Sequence, residues 1–269
     1  MKTIVRNPFD REPVAEVPLV DWAQIDEWLN EAQLLHRDRH GWLAVHERIA
    51  ILRRAADIMR ERAEDLALQI VREGGKPLVD ARVEAGRAIN SVDLCVQALS
   101  DGGGHEIPMD LTEAGAGRTA YTFREPIGPV VAISAFNHPL NLIVHQVGPA
   151  VAAGCPVLIK PALETPLSCQ SFVSILHEAG LPEAWCRFAP CGNDIAERMV
   201  TDPRTEFFSF IGSAKIGWML RSKLAPGTRI ALEHGGAAPV IVDSGVERAA
   251  VIASLLKGGF YHSGQVCVS

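Results

Sequence analysis

PVVAISAFNHPLNLIVHQVGPAVAAGCPVLIKP, residues 129–161, decides the fold. An apolar run at 129–135 opens it, another at 156–160 closes it, and residues 139–153 between them carry helical spacing. The same alternation continues downstream. RFAP (187–190), FFSFIG (207–212) and TRIALE (228–233) supply further apolar runs, with helices expected near 166–179, 193–201 and 213–224. Strands and helices at this spacing predict βαβ units around a parallel sheet. PVIVDSG (239–245) reads as the opening of one more such unit.

Upstream, the N-terminal part reads as helical. Asp21 is placed to cap a helix through Trp28 and Leu29. In HERIAILRRAADIMRERAEDLALQIV, residues Ile51, Ala55, Ile58, Ala63, Leu66 and Ile70 recur near the helical period, so one helix is expected up to Gly74-Gly75. Pro77 opens another, running to about Leu99. DGGGHEIP (101–108) is a break, and RTAYTFRE (118–125) alternates as a strand does.

Composition narrows the class of function. The chain has 269 residues, 48% of them hydrophobic and 22% charged, which suits one large globular domain or two smaller ones. A net charge of −6 gives no support to nonspecific nucleic-acid binding. Arg53, Arg54, Arg60 and Arg62 read as a solvated helix face. The opening MKTIVRNPFDREP lacks the apolar core of a signal peptide, and no apolar run reaches the roughly 18–20 residues of a membrane span. The six cysteines (Cys95, Cys155, Cys169, Cys186, Cys191 and Cys267) form no C-x-x-C pair, and no histidine pair stands nearby at zinc spacing. The expectation is free thiols in a reducing cytoplasm, mostly as small packing residues, with no metal.

Several short motifs bear chemistry, each with a plainer reading beside it. GAGRTA (115–120) matches G-x-G-x-x-A, but no strand precedes it and no helix follows, so it reads as a flexible turn. Gly212-Ser213 closes one apolar run and opens a helix whose first amides point outward, a diphosphate site or a plain turn. Lys160 ends another run, where open α/β sheets bind ligands and where a solvated lysine is also common. Asn137, past the 129–135 run, is an oxyanion donor or a helix cap. Glu233, before Gly235-Gly236, is a general base toward water or a solvated strand end. Cys267 alone reads as an inert small residue more readily than a nucleophile. Taken together in this order, the set supplies a donor, a cofactor ligand, a diphosphate site, a base and a nucleophile.

The order and wording of these motifs resemble the NAD(P)-dependent aldehyde dehydrogenase superfamily. The likeness runs from about Asn7 to Ser269 and is densest at 124–168, with FIGSAKIG (210–217), LEHGGAAP (232–239) and GQVC (264–267) in register. FNHPLN and GQVCVS are similar to the lactaldehyde-like branch, which includes phosphonoaldehyde dehydrogenases. The resemblance implies Cys267 as nucleophile, Glu233 as general base and Asn137 as oxyanion donor. It implies Lys160 on the adenosine ribose, Gly212 and Ser213 beside the diphosphate, and Ile133 and Phe210 flanking the cofactor. It implies a Rossmann-like NAD(P) domain formed by residues 1–103 and 127–234. Residues 104–126 would be an oligomerisation-type strand segment, and 235–269 the start of a second α/β catalytic domain. The implied reaction oxidises a small aldehyde to a carboxylic acid through a cysteine thiohemiacetal and thioester, in a homo-oligomer when full length.

The chain departs from the family pattern at four places. NAD-preferring members often carry Glu three residues after the lysine; here Leu163 stands there, so NADP is not repelled. PCGNDIA keeps Gly192 but has Ala196 where glycine is common. His138 replaces a commoner apolar residue, which suggests contact with polar or anionic aldehydes. Family chains run nearly twice as long, so the reading is of a C-terminally truncated chain, and the 104–126 sheet would keep an open edge. Two other readings stay open: a nucleotide-binding fragment without turnover, and a cysteine hydrolase pairing Cys267 with His262 or His234.

Overall fold

The computed structural model describes residues 1–267. Its centre is a five-stranded parallel sheet built from β5 (Val130–Ile133), β6 (Val157–Lys160), β7 (Cys186–Phe188), β8 (Phe207–Gly212) and β9 (Arg229–His234). The spatial order is β7-β6-β5-β8-β9. The chain therefore starts in the middle, winds outward to β7, then returns to the other side of β5. Helices α5 (Asn141–Ala153), α6 (Leu167–Glu178), α7 (Asn193–Thr201) and α8 (Ala214–Arg221) make the connections.

Alternation along the strands sorts the core into two layers. Val130, Ala132, Val157 and Ile159 face α5 and α6, together with α2 (Val45–Glu61), α3 (Ala63–Gly74) and α4 (Leu78–Ser100). Val131, Leu158, Phe208 and Phe210 face α7, α8 and α1 (Trp22–Arg37). Each strand of the pair β5 and β6 is buried on both sides, as a central parallel strand must be. The α/β architecture expected from residues 129–161 is thus present, with the five strand runs from 129 to 233 and the helices between them within a few residues of their expected limits. Asp21 caps α1, accepting from the Gln24 N–H at 3.0 Å.

Four local expectations need correction. The N-terminus is not helical throughout: β1 (Lys2–Arg6) and β2 (Pro13–Pro18) form an antiparallel hairpin that buries Val5 and Val17. Residues 46–71 are not one helix. Arg62 leaves helical geometry (φ −105°, ψ 17°) and separates α2 from α3. A straight helix from Val45 to Gly74 would run ~45 Å, whereas the break lets Leu52 and Met59 on one side and Leu66 and Ile70 on the other join one core. RTAYTFRE extends only at β4 (Ala120–Tyr121), because its sole partner among the described residues is β3 (Glu106–Ile107). Gly115 lies in the turn between them, which fits the plain-turn reading of GAGRTA. PVIVDSG forms no strand. Among the described residues, Val240, Ile241 and Val242 lie exposed with no neighbouring strand to pair with, and α9 (Arg248–Phe260) follows with no buried residue.

The corner between α3 and α4 reaches into the sheet layer. Gly75 takes the left-handed conformation (φ 65°) that ends α3. Just before it, buried Glu73 accepts from the amides of Leu167 (2.7 Å) and Ser168 (2.8 Å) and from the Ser168 hydroxyl, so it caps α6 from another element. Burial pushes the Glu73 carboxyl up to about 7, against the bonds that pull it down. The folded chain therefore keeps a proton that the unfolded chain releases near 4.5. This group's contribution to stability is full below that value and declines as pH rises toward about 7. Urea unfolding of wild type and Glu73→Gln should diverge in this window: the variant lacks the decline. Parallel pH profiles for the two proteins would show that Glu73 does not titrate in the folded state.

Candidate active site

The strand order reverses direction beside β5, so the loops after β5 and β8 diverge and leave a crevice at the carboxyl ends of the strands. Register fixes what stands at that rim. Ile133 lies level with Lys160 of β6 on one side and with Phe210 of β8 on the other. Ile211 lies level with Glu233, and Gly212 with His234. Alternation in β9 turns Ala231 and Glu233 to the open face, while Ile230 and Leu232 pack inward.

A cleft of about 630 Å³ opens over this face. Its walls include Asn137, His138, Gly212, Ser213, Glu233 and Cys267. These six come from three strand ends and the last turn of the described chain, so the fold gathers what the sequence scatters. Ile133, Phe210, Lys160 and Leu163 stand outside the cleft wall, further along the rim. Lys160 is 7% exposed, and its Nζ meets only the Pro161 carbonyl, at 3.2 Å, among the described residues. Burial lowers its pKa.

The thiols separate sharply. Five cysteines are buried, and burial raises Cys95 and Cys191 to about 11 and Cys186 to about 12. Cys267 is the one exposed thiol. An accessible thiol in a cleft can ionise and attack; a buried one does not. Asn137 Nδ2 donates to the Gln265 carbonyl at 2.7 Å, which ties the turn after β5 to the GQVC segment. An amide has two N–H donors, so one remains for a ligand in the cleft.

His138 is held from behind. Its Nδ1 lies 2.9 Å from Lys76 Nζ and 3.5 Å from Glu84 Oε2. Lysine only donates, so Nδ1 accepts and the ring proton sits on Nε2. Lys76 and Glu84 form an ion pair with both side chains fully enclosed. The other oxygen of Glu84 accepts from the Leu140 (3.0 Å) and Asn141 (3.1 Å) amides at the start of α5. Burial alone would raise the Glu84 carboxyl; the charge and hydrogen bond of Lys76 and the Asn141 amide outweigh it and hold the group below its ordinary value. The His138 ring also stacks on Tyr261 at 6.1 Å and lies 6.1 Å from the His262 ring.

Neither histidine of the hydrolase reading sits like a triad base. His262 packs against His138, and burial first, then Lys76, lowers its pKa to about 4. His234 lines the cleft, but its ring is edge-on to Phe210 and Trp218, with Nε2 buried and unpaired. No group of three or more His, Cys, Asp or Glu side chains is placed to hold a metal ion among the described residues. No helix among them is long and apolar enough to cross a membrane.

The rim suits a dinucleotide. A Cβ on Gly212 would stand 2.7 Å from the Phe210 ring, so only glycine leaves that turn in place. Ser213 is the N-cap of α8 without a side-chain cap bond, which leaves its hydroxyl and the first amides of α8 available. Ser134 Oγ, just past β5, is buried without a partner among the described residues, as a group awaiting a ligand would be.

Comparison with known proteins gives the family. The profile of the Aldehyde dehydrogenase family matches residues 1–269. The chain belongs to that family. It is 31% identical over 271 residues to 3-sulfolactaldehyde dehydrogenase of Priestia aryabhattai, which covers 100% of this chain and 56% of that protein. The crystal structure of aldehyde dehydrogenase 21 from Physcomitrella patens, with the product succinate, superposes at TM-score 0.93 and 33% identity, over 99% of this chain and 56% of that one. Glyceraldehyde-3-phosphate dehydrogenase GapN from Methanocaldococcus jannaschii, complexed with NADP, superposes at TM-score 0.92 and 31% identity, over 99% and 58%. The chain thus spans little more than half the length of these aldehyde dehydrogenases.

Lys76, Glu84, Ser134 and two further cleft-lining residues, His145 and Gln146, escaped the sequence reading. Glu84 had a signal: it falls on the stripe Ala81, Ala85, Ala88, Val92, where a lone charge demands a partner. Removing it should be costly. Glu84→Ala leaves Lys76 buried and unpaired, so urea unfolding should show a loss of about 3–5 kcal/mol. A loss below about 1 kcal/mol, the range of exposed pairs, would mean that the pair is hydrated in solution.

Proposed function

We propose that this chain carries the cofactor-binding and reacting groups for oxidation of an aldehyde to a carboxylic acid with NAD or NADP. The observation that carries the reading is the meeting of Cys267, Asn137 and Glu233 in one cleft beside the Gly212-Ser213 turn. Lys160 would bind the adenosine ribose, Gly212, Ser213 and the start of α8 the diphosphate, and Ile133 and Phe210 would flank the cofactor. Cys267 sulfur adds to the aldehyde carbon, and the free N–H of Asn137 stabilises the oxyanion, a donor of the kind worth about 3–4 kcal/mol. A bound oxidised nicotinamide would supply the hydride acceptor this oxidation needs, and Cys267 would hold the acyl group as a thioester. Glu233 then takes a proton from water as it attacks, and Cys267 leaves.

His138 would contact the substrate. Its Nε2–H makes it a hydrogen-bond donor to an oxygen-bearing substituent, and the sulfolactaldehyde relative acts on an anionic aldehyde by name. Residues 1–103 and 127–234 would form the cofactor domain, and 235–269 the start of a catalytic domain, its last two residues lying outside the described ones. The ribbon of β3 and β4 would be an oligomerisation element of a homo-oligomer. Free thiols fit a cytoplasmic setting.

A second reading rests on packing. The sheet has a core on both faces, whereas α9 buries nothing. The chain would then bind nucleotide without turnover. Titration of tryptophan fluorescence with NAD and NADP, followed by an aldehyde panel, separates the two. Aldehyde oxidation that falls to background in Cys267→Ala while cofactor binding persists supports the first reading; binding without turnover supports the second; no binding ends both.

Cofactor choice gives a separate test. Leu163→Glu should weaken NADP relative to NAD by about tenfold, equivalent to 1.4 kcal/mol of charge repulsion. An unchanged ratio would place the 2′-phosphate away from residue 163.

A further inference from the structure

The segment that carries Cys267 has little hold on the sheet. Among the described residues from Gly235 onward, only His262 is buried, at 6% exposure. Val240, Ile241 and Val242 lie outside the core, and so does every residue of α9. His262 enters the wall beside His138. The two rings lie 6.1 Å apart at 53°, and the neighbouring Tyr261 stacks on His138 at 6.1 Å. The backbone there is bent sharply. His262 (φ 46°), Ser263 (φ 55°) and Gly264 (φ 75°) are three consecutive left-handed residues, two of them not glycine. Such a conformation persists outside glycine only where the surroundings impose it. The Gln265 N–H closes the turn by donating to the His262 carbonyl at 3.0 Å. Gln265 is thereby returned to the rim, where its carbonyl accepts from Asn137 at 2.7 Å. Cys267 follows two residues later.

We propose that His262 is a positioning residue: its buried ring anchors the Cys267 segment to the wall beside His138 and so keeps the thiol next to Asn137. The catalytic consequence rests on the aldehyde-oxidation reading; the anchor itself does not. Two contacts hold this end of the segment, the His262 ring and the hydrogen bond from Asn137 to Gln265. The hydrogen bond is exposed, so water competes for both partners and it holds weakly. The ring excludes water and fixes the left-handed turn that aims the chain back at the cleft. Its hold is conditional on charge. Burial first, then the Lys76 charge and His138, lowers the His262 pKa to about 4. Lys76 stands before α4 and His138 after β5, while Asp80 and Glu84 on α4 pull the other way and are outweighed. A released histidine titrates near 6.5. The anchor is therefore at full strength above 6.5 and weakens as pH falls toward about 4, because charging the ring favours release.

A nitroxide spin label on Cys267, the exposed thiol, reads the anchor directly. In the 269-residue chain at neutral pH the label should be immobilised. In His262→Ala it should move freely on the nanosecond scale, with tryptophan fluorescence unchanged, since the ring lies outside both layers of the core. Lowering the pH below 6.5 should mobilise the wild-type label too. His262→Asn accepts a left-handed turn and does not titrate, so it should lose this pH response although His138 remains. A label equally mobile in wild type and His262→Ala at neutral pH, or a pH response that survives in His262→Asn, overturns the anchor. Turnover is read on the unlabelled chain with NAD or NADP and an aldehyde. His262→Ala should lower kcat by about 10²-fold, the cost of displacing a reacting group by ~1 Å, while cofactor affinity stays unchanged. An unaltered kcat, or a cofactor affinity that falls with it, overturns the positioning role. A wild-type chain without turnover sinks the oxidation reading, while the spin label still decides whether His262 holds the segment.

Discussion

Parallel pairing of β5 with both β6 and β8 is the constraint on which the rest of the molecule depends. Val130 lies level with Val157 on one side and Phe207 on the other. A strand so placed must be apolar on both faces, and the run 130–133 is. Because the chain leaves β5 in one direction and returns on its other side, the loops after β5 and β8 separate. The cleft is the consequence. A purely sequential order would close that rim, and Asn137, Ser213 and Glu233 would have no shared space.

The cleft is held by polar groups that are expensive to bury. Glu73 and Glu84 bracket the corner between α3 and α4 and cap α6 and α5, the helices behind the strands that end in Lys160 and lead to Asn137. An apolar contact would fill the same volume but could not satisfy helix-end amides. Lys76 neutralises one of the two carboxylates and reaches His138 in the same step. Gln146 does similar work nearer the sheet, donating to the Ile133 and Ser209 carbonyls and so tying α5 to both sides of the reversal.

Much of this was legible in the sequence, for physical reasons. Strand and helix periods reflect burial that local residues satisfy among themselves, so residues 129–234 read correctly almost throughout. Errors fell where a partner decides the outcome. Among the described residues PVIVDSG has strand composition but no neighbour to pair with, and RTAYTFRE finds two residues of partner. Arg62 carries no breaker residue; the break comes from two apolar stripes needing one core. The candidate site divides the same way. Residues at strand ends carried a positional signal, whereas Lys76, His145 and Ser134 acquire meaning only from what packs against them.

By itself the sequence determined the alternation of strand and helix, the residue types a thiol-dependent oxidation requires, and the order in which they occur. Only the tertiary structure decided which of six thiols is exposed, that Asn137 is tied to the segment before Cys267, and that Lys76 meets His138. Those are relations between residues tens to hundreds of positions apart. Periodicity records what each residue needs, burial or water, and is silent on which distant residue will meet that need.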